Sequence, residues 1–277
     1  MVGRFHTHGA AEPAVELHNV TDAAHPPAIG SEDIPMAAEI RSLLAPTGVL
    51  RAGVNLSNFL LVSGRTEAGE PVGVSPGMAA ALAERLGVPV RYVTYPGPGL
   101  LADAAVRDEW DIGLIGAEPQ RAETIAFTPA YAEIEATYLV PAGSPIATVA
   151  EVDRPDIRIA VSARSAYGLW LERNIRAATL VWAEGLDGAV QLFREQRLEV
   201  LAGLRPRLLT DTLDFPGSRI LDGRFMTVQQ AIGVPRPKAA AIGFLRDFVA
   251  EAKAGGLVAG LIARHRVQGL TVAAAEG

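Results

Sequence analysis

The chain contains no cysteine. Disulfides, thiolate metal sites and cysteine nucleophiles are therefore excluded, whereas the redox compartment stays open, because a cysteine-free protein suits either environment. Histidine is nearly as scarce: His6, His8, His18 and His25 stand near the start and only His265 stands in the body of the chain. With so little imidazole, no Ser/His/Asp constellation can be assembled, and no His/Asp/Glu spacing argues for a metal. His6 and His8 have no carboxylate-rich scaffold around them and read as part of a solvated arm. Long apolar runs are missing too, so no segment is able to span a bilayer as a helix. There is no excess of basic charge: the formal net charge is -6. A mildly acidic protein has no global attraction to phosphate backbones, which argues against nucleic acid as a partner. What the chain does have is 277 residues, of which 49% are apolar and 20% charged, enough for one large or two medium domains around a true core.

Residues 1–35 are rich in Pro, Ala and His, lack sustained periodicity and read as a poorly ordered arm. They show no basic start followed by an apolar stretch, so no secretory leader is expected and a cytoplasmic location stays open. From Met36 onward, strands and helices alternate. A helix over Met36–Leu44 precedes a buried strand, VLRAGVN, at Val49–Asn55. Val74–Gly87 carries Met78, Leu82 and Leu86 at helical spacing, with Gly87 as the stop. A strand at Val88–Tyr95, a helix at Leu100–Trp110 and a strand at Asp111–Gly116 complete a βαβαβ unit, the signature of a mostly parallel sheet.

A second unit follows, with strands at Asp156–Ala163, Ala178–Glu184 and Leu198–Leu204 and helices at Ser165–Ala177 and Leu186–Gln196. Ser165 is a candidate N-cap. Ser218–Asp222 reads as a further strand, and helices at Gly243–Lys253 and Gly256–Arg266 close the chain. Ala136–Pro141 and Met226–Val234, between the units and after the second, read as two crossover strands. The expected architecture is α/β, with one lobe formed by residues 36–138 plus 227–272 and the other by residues 139–226. Ligands of open α/β sheets sit beyond the carboxyl ends of the strands, so two facing lobes make a cleft, and a double crossover makes a hinge.

Three stretches together carry a resemblance: TGVLRAGVN, GVSPGMAAALAERLGVPVRYV and WDIGLIGAEPQRAETIAFTPAY. Over roughly Leu44 to Arg266 the chain resembles the type 2 periplasmic solute-binding proteins of the polar-amino-acid class, which serve ABC importers. The resemblance implies a two-lobed fold of two Rossmann-like lobes, a small-molecule ligand held between them, an ABC transporter permease as a partner, a periplasmic location, a monomer and no cofactor.

Site expectations follow from the residues and the resemblance together. A guanidinium can grip a carboxylate through two parallel hydrogen bonds, and Arg121 matches the family's carboxylate-binding arginine by its spacing to Phe127. Gly116 and Ala117, small residues after a strand, allow close approach of a ligand to the backbone. Glu118 either points into the cleft or caps the next helix. Asn55 stands where the family usually has an acid and would read a neutral polar group. Asn58 is a ligand contact or a turn residue, and Phe59 an apolar wall or a core residue. In SARSAYGLW, Arg164, Ser165 and Tyr167 surround a helix N-terminus suited to an anion, with Arg164 in place of the family's glycine. In LEVLAGLRPRLL, the aspartate that pairs with an amino acid's ammonium is replaced by Leu204, followed by Arg205. Arg121, Arg164 and Arg205 are thus expected to make a cationic cleft for an organic acid or another anionic metabolite, because an unpaired buried ammonium is costly.

Two other functions fit the same pattern. The first is a lyase resembling cyclohexadienyl dehydratase. It needs a positioned acid, for which Glu118 is the cleft candidate, and no catalytic residue is assigned. The second is a sensor that reports its ligand to a separate chain. Gly97-Pro98-Gly99 hints at a phosphate loop but lacks the Lys-Ser/Thr ending and reads as a plain turn.

Overall fold

The computed structural model describes residues 34–274. His6, His8 and the expected arm lie outside them, except that Ile34 and Pro35 belong to the first helix. In chain order the elements are α1 (Ile34–Leu44), β1 (Leu50–Asn55), β2 (Gly64–Arg65), β3 (Pro71–Val72), α2 (Val74–Leu86), β4 (Val90–Tyr95), α3 (Pro98–Asp103), β5 (Ile112–Gly116), β6 (Ile125–Phe127), β7 (Ala132–Val140) and β8 (Arg158–Ser162). There follow α4 (Ala166–Asn174), β9 (Thr179–Ala183), α5 (Gly185–Glu195), β10 (Val200–Leu204), α6 (Arg205–Asp211), β11 (Arg219–Ile220), β12 (Met226–Pro235), α7 (Ile242–Ala254), α8 (Leu257–Arg264) and β13 (Thr271–Val272).

The main sheet runs β4-β1-β5-β12-β7-β10-β8-β9. Its two ends repeat one plan. β1 lies parallel to both β4 and β5, and β8 lies parallel to both β9 and β10. In each half, the first strand of a βαβαβ unit is central and the second and third flank it. The halves meet at β7 and β12, which are antiparallel and exchange partners midway. β7 pairs with β12 up to Ala136 and with β10 from there on, and β12 pairs with β7 up to Gln230 and with β5 from there on. These are the two crossover strands expected from the sequence, β7 starting four residues earlier than its apolar run suggests.

Local chemistry accounts for the element ends. α2 buries Val74, Met78, Leu82 and Leu86 along one face, and Gly87 ends it at φ 63°, a left-handed conformation that glycine adopts freely. α7 and α8 return to the first half: Leu245, Phe248, Val249, Val258 and Leu261 join the core formed by α1, β1 and α2, and a Cβ on Gly77 of α2 would lie 2.5 Å from Leu261 Cδ2.

Two sequence expectations are corrected. The helix predicted over Leu100–Trp110 stops as α3 at Asp103 and continues as a single 3₁₀ turn to Arg107, ended by Asp108 at φ 50°. The break turns Trp110 inward, where it is fully buried and its indole donates to the Leu101 carbonyl at 3.0 Å. The segment after Leu204, assigned to no element from sequence, is α6, whose Pro206 suits a first helical turn.

Candidate functional site

The six parallel strands bring their carboxyl ends together between the halves. Asn55 ends β1, Gly116 ends β5, Ser162 ends β8 and Leu204 ends β10, while Pro96 and Glu184 follow β4 and β9. All six line one cavity of about 450 Å³. A second groove, of about 810 Å³, is larger but lies on the flank between Phe59, Leu209 and the segment after α8. The cavity at the strand ends is the candidate site, since ligands of open α/β sheets collect there.

Arg121 forms the cationic floor. It sits in a single 3₁₀ turn (Arg121–Glu123). Its side chain is buried, with Nη1 donating to the Gly116 carbonyl at 2.7 Å and Nη2 to the Arg164 carbonyl at 2.9 Å. Among the described residues no carboxylate forms an ion pair with it. Burial pushes its pKa down to about 10, with Glu118 acting against the fall and Arg164 adding to it. The group stays ionised at neutral pH, and a buried cation of this kind favours an anionic partner.

Opposite lies the head of α4. The Ser165 hydroxyl donates to the Ser162 carbonyl and accepts from the Gly168 N–H, so Ser165 is the N-cap as well as a cavity residue. Ala166 and Tyr167, the first two helical residues, also line the cavity. First-turn N–H groups have no intrahelical acceptor, which makes such an end receptive to anions.

The remaining expected residues divide. Asn55 and Asn58 line the cavity, yet each carboxamide oxygen closes a local turn. Asn55 Oδ1 accepts from the Ser57 N–H and hydroxyl, and Asn58 Oδ1 accepts from the Leu60 N–H. The space at Gly116 is already used: a Cβ there would lie 3.1 Å from both Ala166 Cβ and Val228 Cγ1. Its smallness admits α4 of the other half. Ala117 and Glu118 do not line the cavity. Glu118 neither points inward nor caps a helix; it is buried and accepts from Arg173 Nη2 at 2.6 Å. Phe59 is 40% exposed on the flank groove, neither core nor ligand wall.

The cationic cleft of three arginines is not assembled. Arg205, which opens α6, points to the flank and donates to Glu135 at 2.7 Å. Arg164 does line the cavity, but its charge is matched by Asp103 through contacts of 2.5 and 3.0 Å. Leu204 contributes a buried apolar wall to the cavity.

Sequence reasoning missed Glu184 and Gln230. Glu184, exposed at the end of β9, has no ion-pair partner among the described residues, and its Coulombic influence reaches Arg164. Gln230 is 3% exposed, and its carboxamide makes no hydrogen bond to a described residue. The available signal was the Gln229-Gln230 pair just before the apolar half of the crossover strand, and of the two only Gln230 lines the cavity. Among the described residues no group of three or more His, Asp or Glu gathers to hold a metal.

The profile of the family described as bacterial extracellular solute-binding proteins, family 3, matches residues 51–266. A comparison with curated proteins gives no match. Similar solved structures include a solute receptor for L-cysteine of Neisseria gonorrhoeae (18% identity, 86% of this chain and 99% of that one, TM-score 0.67). Another is a putative ABC-transporter binding component of Wolinella succinogenes complexed with lysine (18% identity, 79% and 95%, TM-score 0.65). A third is an ancestral amino-acid-binding protein, AncCDT-1, a precursor of cyclohexadienyl dehydratase (19% identity, 83% and 98%, TM-score 0.64). At such identities the likeness concerns the fold, that of two-lobed periplasmic binding proteins.

Proposed function

Starting from the premise that the chain belongs to the family 3 extracellular solute-binding proteins, we propose that it captures a small carboxylate-bearing solute and that Arg121 grips the carboxylate. The observation that carries this reading is the buried Arg121 guanidinium on the cavity floor, held by two carbonyls and paired with no acid among the described residues. The α4 head, with Ser165 and Tyr167, meets the same anionic group from the other side. The lobes comprise residues 36–138 with 227–272 and residues 139–226, a division supported by the partner exchange at Ala136 and Gln230. The protein works as a monomer that delivers its solute to an ABC transporter permease.

The charges refine the solute. With Arg205 on the flank and Arg164 neutralised by Asp103, the cavity has one unmatched cation among the described residues, which suits one carboxylate better than several. Organic acids with a neutral polar remainder are the first class to test. Glu184 favours a second reading, an amino acid whose ammonium faces Glu184 instead of an acid at position 204. Binding without conversion is the preferred activity. Glu118, the acid a lyase would use, is engaged by Arg173, and His265 lies on the flank groove bonded to Ser63.

A thermal-shift screen against monocarboxylates, dicarboxylates and amino acids tests the proposal, since a solute that binds the folded form raises Tm by mass action. A carboxylate hit abolished by Arg121→Ala supports it. Hits confined to compounds without a carboxylate, or hits unaffected by Arg121→Ala, overturn it.

A further inference from the structure

Arg164 is one of the few residues other than glycine with a positive φ, 57°. That region is disfavoured for any residue with a Cβ, so something must hold the chain there. Two contacts do. The Arg164 carbonyl accepts from Arg121 Nη2 at 2.9 Å. The side chain reaches across to α3 in the other half, where Nη1 and Nη2 meet the two carboxylate oxygens of Asp103 at 3.0 and 2.5 Å and Nη2 also donates to the Gly99 carbonyl at 3.1 Å. The guanidinium lies so close over Gly99 that a Cβ there would stand 2.7 Å from Cζ. Asp103 itself does not line the cavity.

We propose that Asp103 is a positioning residue for solute capture: its bidentate pair with Arg164 tethers the two lobes at the cavity mouth and fixes the carbonyl that orients the Arg121 guanidinium. The orienting part rests on the reading of Arg121 as the carboxylate anchor; the tether does not. Both partners belong to the chain, so the tether acts with or without solute and biases the lobes toward the arrangement that completes the site. The planar fork of arginine matches a carboxylate in a way a single point charge does not. Half of each side chain remains in contact with water, so the pair is modest in strength and sensitive to salt.

The test reads lobe separation with no solute added. Cysteines introduced at Glu84 on α2 and Glu195 on α5, both exposed, are the sole thiols in a chain that has none, and spin labels on them report the interlobe distance by pulsed electron paramagnetic resonance. The expected result is a dominant short-distance population whose ratio to longer distances falls about fivefold in Asp103→Asn, which removes the charge and keeps the size. Arg164→Gly, free to keep the left-handed backbone, should lower the ratio as much, and the double variant no further. About 1 M NaCl should reproduce the effect in the parent protein. Distances dominated by long separations in the parent, an unchanged distribution in Asp103→Asn, or additive effects in the double variant overturn the tether. Because solute is absent, these outcomes are independent of the screen that judges Arg121.

Discussion

Arg173, on α4, donates to the Glu118 carboxylate, on the loop after β5, across 2.6 Å, and the acid is 3% exposed. The pair joins the two lobes beside the cavity and removes from the cavity the one acid that sequence had placed there. Burial holds the Glu118 pKa above the ordinary value, with Arg173 and then Arg121 opposing. A carboxyl whose folded-state pKa is raised contributes stability that is present below its unfolded pKa and is lost as pH rises through the folded value. The stability difference between the parent protein and Glu118→Gln should therefore shift against the parent as pH rises from about 4 to 7. Urea denaturation at several pH values measures it, and a difference that moves the other way would mean that Arg173 outweighs burial.

Arg121 should show a division between stability and binding. Removing an unpaired buried cation relieves its desolvation, while two carbonyls lose a donor. Arg121→Met is expected to change solute-free stability by less than about 2 kcal/mol and to abolish the shift in Tm caused by carboxylates. Arg121→Lys keeps the charge without the fork and should lose at least about tenfold in affinity, on the order of 1.4 kcal/mol. Denaturant titration and isothermal titration calorimetry read the two effects. Loss of folding in Arg121→Met would make the side chain structural.

Glu184→Gln separates the two solute classes. If the solute is an organic acid without an ammonium, affinity should stay within about twofold or improve, because a nearby negative charge is removed. If it is an amino acid, affinity should fall about tenfold or more as the ammonium loses its carboxylate partner. Calorimetry with the best hit of each class decides.

Trp110 anchors the first lobe behind the site. It is fully buried, it bonds the Leu101 carbonyl, and a Cβ on either Gly53 or Gly113 would stand 3.1 Å from its ring. Trp110→Phe should destabilise by about 1–3 kcal/mol through the lost donor and ring volume, with solute affinity per folded molecule unchanged. A coincident fall in affinity would mean that the α3 segment transmits the damage to Gly99 and Asp103.

Much of the fold was legible because its causes are local or periodic. The spacing of Met78, Leu82 and Leu86 fixed a helical face, Gly87 its stop and Ser165 the next N-cap, each through contacts within a few residues. The helix expected at Leu100–Trp110 failed for a nonlocal reason: Trp110 fills a space bounded by Gly53 and Gly113 on two strands, which outweighs continued helix. The missing α6 shows the opposite error, a short helix hidden by attention to the strand before it.

The sequence by itself determined the alternation of strands and helices, the two crossovers, the family and Arg121 as a cavity residue, since periodicity, caps and motif spacing act over short stretches of chain. Only the tertiary structure decided which charges face the solute. Arg205 turns to Glu135, 70 residues away, Arg173 claims Glu118 at a separation of 55, and Arg164 meets Asp103 at 61. An ion pair forms wherever the fold brings opposite charges within about 4 Å. Strand ends can be located from local pattern, but the partner of a long arginine side chain is set by the packing of the whole sheet.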